Sequence, residues 1–106
     1  MNQDKNGVLL ISFDLPTTDS KARADYRKFR KYLQTKGYSM LQESTYVKLL
    51  HHASSANSEM KDIERNAPQD GEVFVLPLTL TQFKNIKYIR GTPFNFSLFS
   101  DDIFYI

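Results

Sequence analysis

The chain has 106 residues, 41% of them hydrophobic and 25% charged, a balance that suits one globular domain over 1–106 with a modest core. It contains no cysteine, which excludes disulfides and thiolate metal centres, and no apolar run approaching the roughly 20 residues of a membrane span. The formal net charge of +2 conceals an asymmetry: residues 1–50 carry nine lysines and arginines against five acids, and residues 51–106 carry five against seven. A polyanion would therefore be met by the first half. Met1 to Asn6 are polar and lack the charged-then-apolar order of a secretion signal, so a cytoplasmic location with no membrane association is expected.

Gly7-Val8-Leu9-Leu10-Ile11-Ser12-Phe13-Asp14-Leu15-Pro16 is an apolar run without strict alternation, which reads as a strand buried on both faces. Pro16 cannot continue a ladder and ends it. Asp14, at the end of that strand, is placed either to hold a metal or act as a catalytic acid, or to bond its own backbone as a turn residue. The local pattern favours the turn.

Thr17 to Ser20 offer N-cap candidates, Asp19 among them, for a helix from about Ser20 to Lys36. Ala22, Tyr26, Phe29 and Leu33 fall on one narrow face, and Lys36-Gly37 suits the C-terminal end. Lys21, Arg23, Arg27, Lys28, Arg30 and Lys31 fill much of the rest, with Asp25 as the one interspersed acid. A solvated face is the ordinary explanation of such charges. Like charges within one turn repel by a few tenths of a kcal/mol per pair, however, and the missing glutamates favour contact with phosphates.

Tyr38 to Leu50 reads as two strands joined tightly near Gln42-Glu43-Ser44. His51 and His52 would point in opposite directions on an extended backbone and read as strand-end residues. A second helix, with Ala56, Met60 and Ile63 on its apolar face, ends before the turn Pro68-Gln69-Asp70-Gly71. Glu72 to Leu78 follows as a strand whose Pro77 suits a sheet edge or strand end. Thr81 to Lys84 looks like a helical turn and Ile86 to Ile89 like a short fifth strand. From Thr92 to Ile106 the chain is dense in aromatic and aliphatic residues and must be buried, on its own domain or as a strand on another chain.

The order strand, helix, strand, strand, helix, strand is that of an α+β, ferredoxin-like fold, which hosts many functions. Three pieces narrow it: Phe13-Asp14-Leu15-Pro16, Tyr26-Arg27-Lys28-Phe29-Arg30-Lys31-Tyr32-Leu33, and Gly37-Tyr38-Ser39-Met40 leading into Gln42-Glu43-Ser44-Thr45-Tyr46-Val47-Lys48. Together, over a core of about residues 7–90, the chain resembles the CRISPR-associated protein 2 family, in the form found beside the type II effector nuclease. The resemblance implies a homodimer in which an added C-terminal strand, within the extension at about 92–106, joins the partner's sheet. It implies a scaffold that bridges dimers of the CRISPR-associated protein 1 integrase and carries double-stranded DNA for spacer acquisition. Lys21, Arg23, Arg27, Lys28, Arg30 and Lys31 become the expected DNA contacts, and Ile103, Phe104 and Tyr105 the expected integrase contact. Asp14 matches the family's strand-end aspartate, two copies of which meet at the dimer axis. In some members that pair holds a divalent metal, with magnesium the expected ion, and cuts RNA or DNA. A metal-dependent endonuclease using Asp14 of both protomers is thus the alternative to the scaffold.

Overall fold

The computed structural model describes residues 6–99, and the expected contacts Ile103, Phe104 and Tyr105 lie outside them. Four strands form one antiparallel sheet: β1 (Gly7–Asp14), β2 (Ser39–Gln42), β3 (Thr45–Leu50) and β4 (Glu72–Thr79), in the order β2-β3-β1-β4. Helices α1 (Ser20–Thr35) and α2 (Ala56–Asn66) lie between β1 and β2 and between β3 and β4 in sequence, and a short α3 (Leu80–Lys84) follows β4. This is the ferredoxin-like arrangement expected. No helix among the described residues is long and apolar enough to cross a membrane.

The central strand β1 pairs with β3 from Gly7 to Ser12 and with β4 from Gly7 to Asp14. Its alternate residues feed two separate cores, because successive side chains leave a strand on opposite faces. Leu9, Ile11 and Phe13 join Phe29 and Leu33 of α1, Ile63 of α2 and Tyr46 and Leu50 of β3 under the two long helices. Val8 joins Val47, Leu49, Phe83, Phe94 and Phe99 on the other face. The aromatic extension therefore packs on its own sheet, at least as far as Phe99. Phe83 sits in edge contact with Phe94 and Phe96, at ring-centroid separations of 5.3 and 5.7 Å.

Local chemistry sets the ends of α1. The Asp19 side chain accepts from the Ala22 N–H at 2.8 Å, satisfying one orphan donor. At the other end Gly37 has φ +94, while the Gly37 N–H reaches the Gln34 carbonyl and the Tyr38 N–H the Leu33 carbonyl. That is the paired closure a left-handed residue permits, and Tyr38 and Leu33 complete it in the shared core.

One expectation needs correction. Ile86 to Ile89 is not a strand. α3 turns the chain away from the sheet edge, and this segment crosses the second face beside Leu10, Ser12 and Thr45. Ile86 and Tyr88 pack there by their side chains, while the backbone lies over a face whose ladder bonds are already made. In the extension Phe96–Leu98 is a single 3₁₀ turn, and the residues beyond Phe99 that would supply the expected C-terminal strand lie outside the described residues.

Candidate nucleic-acid interface

With about 100° of rotation per residue, Arg23, Arg27 and Arg30 fall within about 60° of each other on α1, and Lys21 lies on the opposite flank. The two flanks differ in chemistry. Lys21 Nζ is 3.0 Å from Asp25 Oδ2, and the carboxylates of Asp19, Asp25 and Asp70 share a cleft of about 250 Å³ with it. The hydrogen bond from Lys21 to Asp25, and then the charge of Asp25, raises the ammonium pKa above its ordinary value. Lys21 thus already has a carboxylate partner for its charge.

On the other flank the partners are neutral. Arg23 Nη1 donates to the Thr17 carbonyl at 3.2 Å, and Arg30 Nε to the Tyr46 hydroxyl at 3.1 Å. Arg27 and Lys31 are exposed and form no ion pair among the described residues; nor does exposed Lys28, which by the same rotation falls about 20° from Lys21. This side of the helix has charge to offer. The six expected contacts therefore do not form one surface: Lys21 and Lys28 lie on one flank, and Arg23, Arg27, Arg30 and Lys31 form a continuous row.

The inner side of α1 is held by a different set of groups. The Tyr32 hydroxyl donates to Asp62, which also faces Lys36 at 3.7 Å and Arg65 at 3.3 Å. Glu59 accepts from the Tyr38 hydroxyl at 2.8 Å and from Lys48 Nζ at 3.0 Å. The Lys48 ammonium also lies 5.3 Å from the Tyr38 ring centroid. These contacts tie both helices and the sheet together and leave the arginine row free to face outward.

Asp14 is exposed at the end of β1, on the face opposite the long helices, and its carboxylate accepts no hydrogen bond among the described residues. The self-capping turn that the local pattern favours is not formed. Across the ladder Asp14 faces Glu72, the first residue of β4. Sequence reading found no second acid for Asp14, because 58 positions separate the two and only the β1–β4 register joins them. The readable hint was the Asp70-Gly71-Glu72 turn into a strand. Both are hard oxygen donors of the kind magnesium takes, one or two carboxylates with water completing the shell. Among the described residues, no group of three or more histidine, cysteine or acidic side chains is arranged around a common point. Beside Asp14 the second face leaves Phe74, Leu76 and Ile89 bare, at 61, 46 and 75% exposure.

A family model described as CRISPR associated protein Cas2 matches residues 8–86, a span that takes in Asp14, the whole of α1, Tyr46 and Glu72 but not the aromatic extension. The chain is 36% identical over 85 residues to the CRISPR-associated endoribonuclease Cas2 of Acidovorax ebreus, covering 80% of this chain and 83% of that protein. It is 41% identical over 83 residues to the protein of the same name from Ligilactobacillus salivarius, covering 78% and 82%. For the namesake in Treponema denticola the figure is 39% over 83 residues, again 78% and 82%. Identity at this level, spread over nearly the whole ferredoxin-like core, shows that the chain belongs to the CRISPR associated protein Cas2 family.

Proposed function

We propose that the chain serves CRISPR spacer acquisition as a homodimeric scaffold that lays duplex DNA along α1 and bridges dimers of the CRISPR-associated protein 1 integrase. The observation that carries this reading is the row of exposed cations on the outer flank of α1, whose fixed members are held by neutral acceptors. Phosphate contacts position a duplex without reading its sequence, which suits a protein that must accept any invading DNA. Dimerisation is supported by the bare apolar corner at Phe74, Leu76 and Ile89, which a second copy would cover. Asp14 lies on that same face, so covering it would bring two strand-end carboxylates together.

A second reading, a metal-dependent endonuclease, is favoured by the relatives' name, endoribonuclease, and by the Asp14–Glu72 pairing. Asp14 would hold a magnesium ion, with Glu72 on the adjacent strand. Bound there, the ion would supply positive charge at a phosphodiester and a more acidic water. The chain's own part would be to hold both carboxylates side by side at a solvent-open strand end.

Comparing wild type with Asp14→Asn separates the two readings. Spacer acquisition should persist in the asparagine variant, while any magnesium- or manganese-dependent cleavage of RNA or DNA should fall. Loss of acquisition in the variant would overturn the scaffold reading, and equal cleavage by both proteins would rule out catalysis by Asp14. Removing residues 100–106 should abolish co-purification with the integrase, and normal co-purification would refute that contact. Phe74→Ser should leave the stability of the isolated chain within about 0.5 kcal/mol, as for an exposed site, yet dissociate the dimer in sedimentation.

A further inference from the structure

We infer that Tyr46 makes Arg30 a pre-set phosphate fork, and that the DNA track runs along Arg23, Arg27 and Arg30 without Lys21. This deepens the scaffold reading and rests on it. The Tyr46 ring is 2% exposed and stacked on Phe13 at 5.9 Å, so its position is fixed by the core. Its hydroxyl lines the same cleft as Arg30 and accepts a hydrogen bond from Arg30 Nε. A guanidinium held by Nε retains both terminal nitrogens, the edge that grips two phosphate oxygens. Among the described residues those nitrogens form no hydrogen bond or ion pair.

The choice of a phenol as anchor has a consequence. A carboxylate would fix the arginine equally well but cancel its charge, as Asp25 does for Lys21. Tyr46 fixes it and leaves the charge whole. Arg23, seven residues earlier, also has a neutral acceptor, the Thr17 carbonyl, but is held through Nη1, so it keeps its charge without keeping the whole terminal edge free. A cleft of about 210 Å³ opens beside Arg30, lined by Tyr26, Met40, Glu43, Ser44 and Tyr46, with space for a phosphate group. Glu43 is its one acid; it is exposed on the β2–β3 turn and makes no ion pair among the described residues.

The test is binding of the full chain to a duplex oligonucleotide of arbitrary sequence, followed by fluorescence anisotropy across a salt series. Arg30→Gln should flatten the slope of log affinity against log salt by about 0.9, the loss of one phosphate contact. Tyr46→Phe keeps every charge, so its slope should match wild type while affinity falls roughly two- to tenfold, reflecting the ordering of a freed side chain. Arg30→Lys, which keeps the charge but has no Nε donor, should behave like Tyr46→Phe. In the Arg30→Gln background Tyr46→Phe should have no further effect, a coupling that general damage to the fold would not produce. Lys21→Gln should leave the slope unchanged.

Wild-type affinity for Tyr46→Phe would overturn the positioning role, and a flattened slope for Lys21→Gln would overturn the choice of flank. Salt-independent or absent binding by wild type would instead refute the scaffold reading itself. Tighter, equally arginine-dependent binding to single-stranded RNA would reassign the row to an RNA substrate.

Discussion

Gly71 shows how much one position can carry. It has φ +94, and a Cβ there would stand 2.8 Å from the Asp14 carbonyl oxygen and 2.8 Å from Leu15 Cδ2. Gly91 has the same φ but nothing within 4 Å of its notional Cβ. The two glycines therefore separate conformational strain from steric overlap. Gly91→Ala should cost about 1 kcal/mol for the left-handed backbone alone. Gly71→Ala should cost about 2–4 kcal/mol, because overlap adds roughly 1–3 kcal/mol of repacking. Urea unfolding of both variants measures the difference, and equal losses would contradict the close approach of the turn to β1. The turn was legible in the sequence from Pro68-Gln69-Asp70-Gly71. That its glycine touches the backbone of Asp14 was not, since the contact depends on how β4 docks.

At the scale of elements, the phenols that clamp α1 and β2 to α2 predict a pH response. Burial first, and then the hydrogen bond to Glu59, pushes the Tyr38 phenol well above its ordinary 10.0, and burial followed by the bond to Asp62 does the same for Tyr32. A pKa raised in the folded state favours the protonated form there. The stability from these groups is complete below about pH 10 and is lost as pH rises from that value toward the folded pKa. Asp62 runs the other way: the Tyr32 hydrogen bond, then Lys36 and Arg65, hold its carboxyl below 3.8. Its contribution is present above that pH and disappears as pH falls through the folded value. An absorbance titration should show Tyr32 and Tyr38 ionising late, with Tyr38→Phe removing one of the late steps. A titration that Tyr38→Phe leaves without the loss of a late step would mean that the clamp is not formed. The ends and apolar stripe of α1 were legible because Asp19, Gly37 and the spacing of Phe29 and Leu33 act within a few residues. Ile86 to Ile89 misled because strand formers need an unpaired edge to join, and α3 carries them over a face instead. Arg30 and Tyr46 were each visible, but their hydrogen bond spans 16 positions and belongs to the packing of helix on sheet.

For the whole molecule, the two-sided sheet reconciles an apolar extension with a fold that needs only two helices. The extension fills the Val8 end of the second face, while Phe74, Leu76 and Asp14 occupy an open end. Order of elements and hydrophobic period were enough to predict the layers, but not which end of the second face would stay uncovered. β1 passes from one condition to the other within eight residues. Between Gly7 and Ser12 it is paired on both sides, and Val8, Leu9 and Ile11 are almost wholly buried; at Asp14 it has β4 alone. Amide hydrogens along this one strand should therefore exchange with deuterium on a graded clock. Those of Val8 to Ile11 should wait for global unfolding, and those nearest Asp14 should exchange through local opening. Whatever settles on the open end, a second copy or a nucleic acid strand, should announce itself by slowing the fast end of that clock while leaving the slow end as it was.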